Sequence, residues 1–133
     1  MIIFQYKEEH LANGKKIKRP VADISLKTIS NQWIEFHPYI DSGADITIIP
    51  YSLGKLLGFE VAGNKVSQIG GIRGGVPVIY IESLIKIGLN EFKINIAWSL
   101  IDEVPPLLGR TDVFEKFNIT FKQIEGLIIF EER

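Results

Sequence analysis

Residues 40–50 read Ile40-Asp41-Ser42-Gly43-Ala44-Asp45-Ile46-Thr47-Ile48-Ile49-Pro50. A carboxylate, a hydroxyl and a glycine stand together between two apolar runs. Upstream lies Trp33-Ile34-Glu35-Phe36-His37-Pro38-Tyr39, rich in aromatic and β-branched residues; downstream lies Ile46-Thr47-Ile48-Ile49. Strand-formers on both sides of a tight polar loop place that loop at a strand end, inside the domain. An acidic group there is unfavourable unless something satisfies it, so Asp41 is the first candidate for chemistry. The bland alternative is a carboxylate that caps its own turn, the common fate of an isolated Asp-Ser-Gly.

Outward from this loop the chain keeps the same character. Residues 2–6 read as a strand, and Asn13-Gly14 as a turn. Lys15, Lys16, Lys18 and Arg19 follow. No aromatic residues interleave with them for base stacking, so they read as a solvated loop or a charge-protected edge strand. Residues 21–28 and 33–40 suggest a hairpin around Ser30-Asn31-Gln32. His37 lies in its second arm without a serine or cysteine nucleophile motif beside it, and reads as a structural or surface histidine. Tyr51 to Leu57 suggests a short helical turn ending near Gly58.

Residues 65–69 lead into Gly70-Gly71-Ile72-Arg73-Gly74-Gly75, followed by strand-like Val76 to Ile81. Four glycines in six residues form a hairpin tip. A phosphate-binding loop is a poor alternative, since the Gly-Lys-Ser/Thr ending and a following helix pattern are missing. Residues 84–88 and 92–98 form another hairpin, turning at Leu89-Asn90-Glu91. After Pro105-Pro106, Leu107-Leu108-Gly109-Arg110 is a short apolar strand ending in glycine. Thr111 or Asp112 can cap a helix through Phe117. Residues 118–121 and 127–130 complete the strands. The tripeptide Asn118-Ile119-Thr120 matches a glycosylation acceptor by coincidence.

The pattern is all-β: many short strands in a closed, barrel-like domain with one short C-terminal helix. The 133 residues fit a single domain, 1–133, with one core. A net charge of −1 gives no global pull toward nucleic acid or an anionic membrane. No cysteine is present, which excludes disulfides, thiolate metal sites and a cysteine nucleophile. Two histidines, His10 and His37, are too few for a three-histidine metal site. No apolar run approaches the roughly 18 residues of a membrane span. Charge appears too early at the N-terminus for a signal peptide. The expectation is a cytoplasmic protein without cofactor, metal, nucleic-acid or membrane partner.

Three features in order sharpen the reading: Asp41-Ser42-Gly43-Ala44-Asp45, then Ile69-Gly70-Gly71-Ile72 with Gly74-Gly75, then Leu108-Gly109-Arg110. Together they resemble the retropepsins, the single-lobe aspartic proteases of retroviral type and their cellular and prokaryotic relatives, over about residues 20–123. The resemblance implies an acid-protease fold with a flap hairpin and an aspartic endopeptidase acting on peptide or protein substrates. Asp41 would be catalytic. Ser42 would hydrogen-bond across a dimer axis beneath the carboxylates, and Gly43 would leave room for the substrate backbone. Ala44 belongs to the supporting loop. Asp45 and Arg110 would form a bracing ion pair. Ile69, Gly70, Gly71, Ile72, Arg73, Gly74, Gly75 and Val76 would be the flap over the substrate. Arg73 departs from the family pattern as an insertion in the flap tip, facing acidic substrate groups, the opposite flap or solvent. Ile48, Val76, Ile79 and Leu108 are candidates for apolar pocket walls by position.

Aspartic proteolysis needs two carboxylates sharing one proton around a water, and this chain has one Asp-Ser-Gly. A homodimer with the site on its twofold axis supplies the second Asp41. In the retropepsin pattern the terminal strands, here 1–6 and 127–131, interleave at that interface; otherwise they pair within one subunit. Two rival functions share these residues. One is a non-catalytic peptide-binding module on the same fold, and the other a β-barrel interaction domain with a structural Asp41.

Overall fold

A computed structural model describes residues 1–70 and 74–132. The alternation of apolar and polar residues produces strands almost throughout. They are β1 (Ile2–Gln5), β2 (Lys7–His10), β3 (Lys16–Arg19), β4 (Ile24–Lys27), β5 (Trp33–Phe36), β6 (Tyr39–Ile40) and β7 (Thr47–Ile49). After helix α1 (Tyr51–Leu57) come β8 (Ser67–Ile69), β9 (Val76–Ile87), β10 (Asn90–Ser99), β11 (Leu107–Leu108), β12 (Phe117–Lys122) and β13 (Leu127–Glu132).

The main sheet runs β5-β4-β9-β10-β7-β11-β6, with β8 paired to the start of β9. It curls into a half-barrel. The run from 33 to 40 stays paired with the 21–27 segment on both sides of Pro38: β5 forms a ladder with β4, and Tyr39 of β6 bridges to Val21 in the same register while β6 also pairs with β11. Among the described residues the sheet comes back on itself through that isolated bridge, not through the continuous ladder of the expected closed barrel.

The long hairpin β9–β10 forms the spine, with ten residue pairs in register from Asn90↔Ile87 to Ser99↔Val78. Its chain reversal falls at Gly88-Leu89, one residue earlier than the sequence suggests. Ile79, Ile85, Ile87, Ile94, Ile96 and Trp98 are buried along it and form the centre of one hydrophobic core. Trp98 anchors α1: its indole N–H donates to the Tyr51 carbonyl (3.0 Å), and its ring stacks on Tyr51 at 5.6 Å. The helix closes at Gly58, whose N–H and that of Phe59 bond back to Lys55 and Gly54.

The expected C-terminal helix over 111–117 is absent. Residues 111–116 are successive turns, and α1 is the one helix among the described residues. Asp112 is the reason. It adopts a left-handed φ of 70°, which interrupts helical geometry, and its carboxylate accepts the Asn95 N–H at 2.8 Å, tying the turn to β10.

The two ends of the chain form a second sheet, ordered β1-β13-β12. Ile2 pairs with Phe130 and Gln5 with Leu127, so the terminal segments meet within one chain. β13 has strands on both sides, leaving β1 and β12 as the edges. The charged stretch after Asn13-Gly14 is ordered too. Strand β3 pairs with β2 in a separate two-stranded ribbon, Lys7↔Arg19 to His10↔Lys16.

Candidate active site

The Asp41 loop joins β6 to β7, and β11 threads between those two strands. It runs parallel to β6 (Leu108↔Ile40) and antiparallel to β7 (Leu107↔Ile48). Short apolar strands make this possible, since Ile40, Ile49 and Leu108 all point into the core. The loop is therefore fixed at both ends and from the middle.

Backbone hydrogen bonds complete the clasp. The Asp41 N–H donates to the Leu108 carbonyl (3.0 Å), Arg110 to Ala44 (2.9 Å) and Thr111 to Asp45 (2.9 Å). Gly109 lies where the two segments touch. A Cβ there would stand 2.4 Å from the carbonyl carbon and oxygen of Ile46, so no side chain fits. Its N–H donates to the hydroxyl of Thr47 (3.1 Å), a fully buried threonine. Thr47 was not among the candidate site residues. The signal was a hydroxyl residue at the inward position of an apolar strand, which needs a partner when buried.

Within the loop, one Asp41 oxygen accepts the Gly43 N–H at 2.9 Å. That is the turn-capping role of the bland reading. The second oxygen has no hydrogen-bond partner among the described residues. Asp41 is half-buried rather than interior, because the loop emerges at the surface; Ser42 and Gly43 are exposed. The Ser42 hydroxyl likewise has no partner among the described residues. Asp45 and Arg110 form an ion pair beside the loop, both largely exposed. The chain thus presents a carboxylate oxygen and a hydroxyl outward from a rigid base.

Alongside Asp41 opens a cleft of about 650 Å³. Arg19, Tyr39, Glu103, Pro105 and Leu107 are among the residues that line it with Asp41. Arg19 is already engaged: its guanidinium lies 2.6 Å from Glu9 and 5.5 Å over the Tyr39 ring. Tyr39 donates its hydroxyl to Glu9, and that carboxylate, with burial second, pushes the phenol above its ordinary range. None of Arg19, Glu9, Tyr39 and Glu103 stands out in the sequence as a site residue. Their meeting depends on the β2–β3 ribbon folding back over β6.

Of the residues expected over the substrate, Ile69 and Val76 pair across the β8–β9 hairpin. Gly70, Gly74 and Gly75 all have left-handed φ angles, and a Cβ on Gly75 would lie 2.5 Å from the Gly70 carbonyl oxygen. Gly71, Ile72 and Arg73 lie outside the described residues. Of the pocket walls suggested by position, Ile79 and Leu108 are buried in the core, at 1% and 0% exposure, and face no cleft. Leu107, the outward neighbour of Leu108, takes that place.

No protein-family model matches the sequence, and a search of curated proteins finds no match. Comparison with solved structures does. A retropepsin-like aspartic protease from Rickettsia conorii superposes with a TM-score of 0.65 at 20% identity, covering 96% of this chain and 95% of that one. The chain has a retropepsin-like fold. EIAV protease, complexed with the inhibitor HBY-793, aligns over 70% of this chain and 83% of its own, with a TM-score of 0.53 and 21% identity. The retropepsin-like fold thus extends over the terminal strands as well as the central sheet.

One further group of potential ligands lies outside the cleft. Carboxylate oxygens of Asp23 and Glu35 and a ring nitrogen of His37 fall within 4.8 Å of one another, all exposed. Lys7 already supplies a cation there, 2.6 Å from Asp23, and His37 lies 2.7 Å from the same oxygen. Lys7 first, and His37 after it, hold the Asp23 carboxyl below its ordinary range against the opposing effect of burial. His37 is a surface histidine in an ion-pair group. Among the described residues, no helix is long and apolar enough to cross a membrane.

Proposed function

We propose that this chain is an aspartic endopeptidase that works as a homodimer. The carrying observation is the Asp41 loop: a rigid, core-anchored turn with one carboxylate oxygen and the Ser42 hydroxyl left open at the surface. Two such loops related by a twofold axis would bring their Asp41 carboxylates together. Like charges in contact cannot both ionise, so the pair holds one proton, the behaviour for which aspartic proteases are the standard example. The ionised carboxylate takes a proton from a water as its oxygen attacks the peptide carbonyl. The protonated carboxyl gives its proton to the carbonyl oxygen. As the resulting diol collapses and the C–N bond breaks, the carboxyl that took the water's proton gives it to the departing amine and the other carboxylate takes the proton of one diol hydroxyl, which restores the starting arrangement of the dyad. The pair titrates as a unit.

The remaining assignments follow from position. Ser42 reaches its counterpart beneath the dyad. Gly43 admits the substrate backbone. Ala44, Asp45 and Arg110 brace the loop. The β8–β9 hairpin, with Gly70 to Gly75 at its tip, acts as the flap, and substrate lies extended beneath it through main-chain hydrogen bonds. With β13 enclosed, the free edges of β1 and β12 are the parts of the terminal sheet open to the second subunit. A cytoplasmic location is part of the same proposal.

The test is cleavage of a diverse peptide library at mildly acidic pH by wild type and Asp41→Asn, with pepstatin-type inhibition and light scattering in parallel. Cleavage by a dimer that Asp41→Asn abolishes is the expected result. A folded protein that stays monomeric and cleaves nothing would favour a peptide-binding module instead.

A further inference from the structure

We propose that Glu103 makes the cleft beside Asp41 a receptor for a basic side chain, so that the preferred substrates carry lysine or arginine next to the cleaved bond. The proposal rests on the endopeptidase reading and adds the chemical class of substrate.

The argument is one of charge accounting within the cleft. Arg19 is its one cationic lining residue, and Glu9 neutralises it at 2.6 Å while the Tyr39 ring covers one face. Glu9 also accepts the Tyr39 hydroxyl, so that group is complete in itself. Glu103 also lines the cleft and has no ion-pair or hydrogen-bond partner among the described residues. With Asp41 carrying its share of a dyad's negative charge, the cleft as a whole is negative.

Its position is also fixed rather than incidental. The segment carrying Glu103 is tied ahead of it at Leu100, Ile101 and Asp102 and after it at Pro106, whose carbonyl accepts the Tyr39 N–H (3.0 Å). The Leu100 N–H donates to the Pro77 carbonyl (2.9 Å) at the base of β9, and Tyr51 donates to the Ile101 carbonyl (3.2 Å). The neighbouring Asp102 accepts the Ser52 N–H at the start of α1 (2.8 Å), so that carboxylate is spent on the helix. Glu103 is thereby left as the open charge of a tethered loop. Pro105 and Leu107 give the cleft apolar lining. A lysine or arginine suits this arrangement, laying its aliphatic stem along the apolar wall while its charged end reaches the carboxylate.

The experiment uses peptides that differ only at the residues flanking the cleaved bond, with lysine, arginine, glutamine, leucine or glutamate there. Wild type, Glu103→Gln, Glu103→Lys and the remote surface control Glu125→Gln are compared at low and high salt. We expect wild type to favour lysine or arginine over glutamine by about two- to fivefold in kcat/KM, the scale of a partly exposed ion pair. High salt should shrink that ratio. Glu103→Gln should abolish it, Glu103→Lys should shift it toward glutamate, and Glu125→Gln should keep it. A wild-type enzyme that cleaves without this preference, or a preference that survives Glu103→Gln, overturns the proposal and leaves the endopeptidase reading standing. If no peptide is cleaved, the endopeptidase reading fails by itself, and binding of the same labelled peptides is read by fluorescence anisotropy. Tighter binding of basic peptides that Glu103→Gln weakens then supports the cleft assignment, and equal binding overturns it.

Discussion

Two aspartates of this chain have opposite surroundings. Asp23 lies on the outer surface with the Lys7 ammonium at 2.6 Å and the His37 ring at 2.7 Å on the same oxygen. Asp41 is held by backbone alone: its own turn, and the β11 strand behind it. Cations beside a carboxylate stabilise its charge and so discourage it from taking a proton. Asp41, by contrast, pairs with no cation and keeps one carboxylate oxygen without a partner among the described residues, the oxygen that the proposed reading turns toward a second subunit.

The sharpest way to break this comparison is to remove each carboxylate in turn. Asp41→Asn should lower kcat by about 10²–10⁴-fold or more, the scale of a lost acid–base group, while Asp23→Asn should leave cleavage intact; steady-state kinetics on one good peptide decides. The next largest effect concerns the clasp. Gly109→Ala drives a methyl into the Ile46 backbone, and should cost about 3 kcal/mol in denaturant unfolding, with activity lost alongside. Thr47→Val keeps the shape but leaves the Gly109 N–H buried without its acceptor. It should cost about 1–2 kcal/mol by the same measurement.

The smallest effect belongs to Asp23 and reads in pH. Its proton affinity is lower in the folded chain than in the unfolded one. Its contribution to stability is therefore present above the ordinary carboxylate range and is lost as pH falls through the lowered value. Because Lys7 is the largest cause, Lys7→Ala should flatten this acid-side loss in urea midpoints measured along the acid limb, without touching cleavage.

The central architecture was legible because it rests on local chemistry. Asp-Ser-Gly between β-branched runs, an apolar pair ending in Gly109 and a glycine-tipped hairpin each state their conformation in a few residues. The C-terminal helix was misread for an equally local reason. Asp112 satisfies capping rules from sequence, yet its carboxylate finds Asn95 on a distant strand and its backbone turns left-handed. The cleft lay beyond sequence reasoning because Arg19, Tyr39 and Glu103, which line it, and Glu9, which pairs with Arg19, come from four separate segments. Charged residues in solvated stretches look alike until the ribbon that carries them is placed. Closure of the curled sheet was less legible, because the 33–40 run reads as one strand, whereas it is divided at Pro38 and its step back to Val21 is an isolated bridge.

The β1–β13 pairing has a consequence for folding. Ile2 finds its partner in Phe130, far along the chain. Closing so long a loop is slow and entropically costly, so in refolding this sheet should form after the local β9–β10 hairpin. Until it does, Phe4 and Ile128, both buried in the folded molecule, stay open to solvent and are where aggregation would begin.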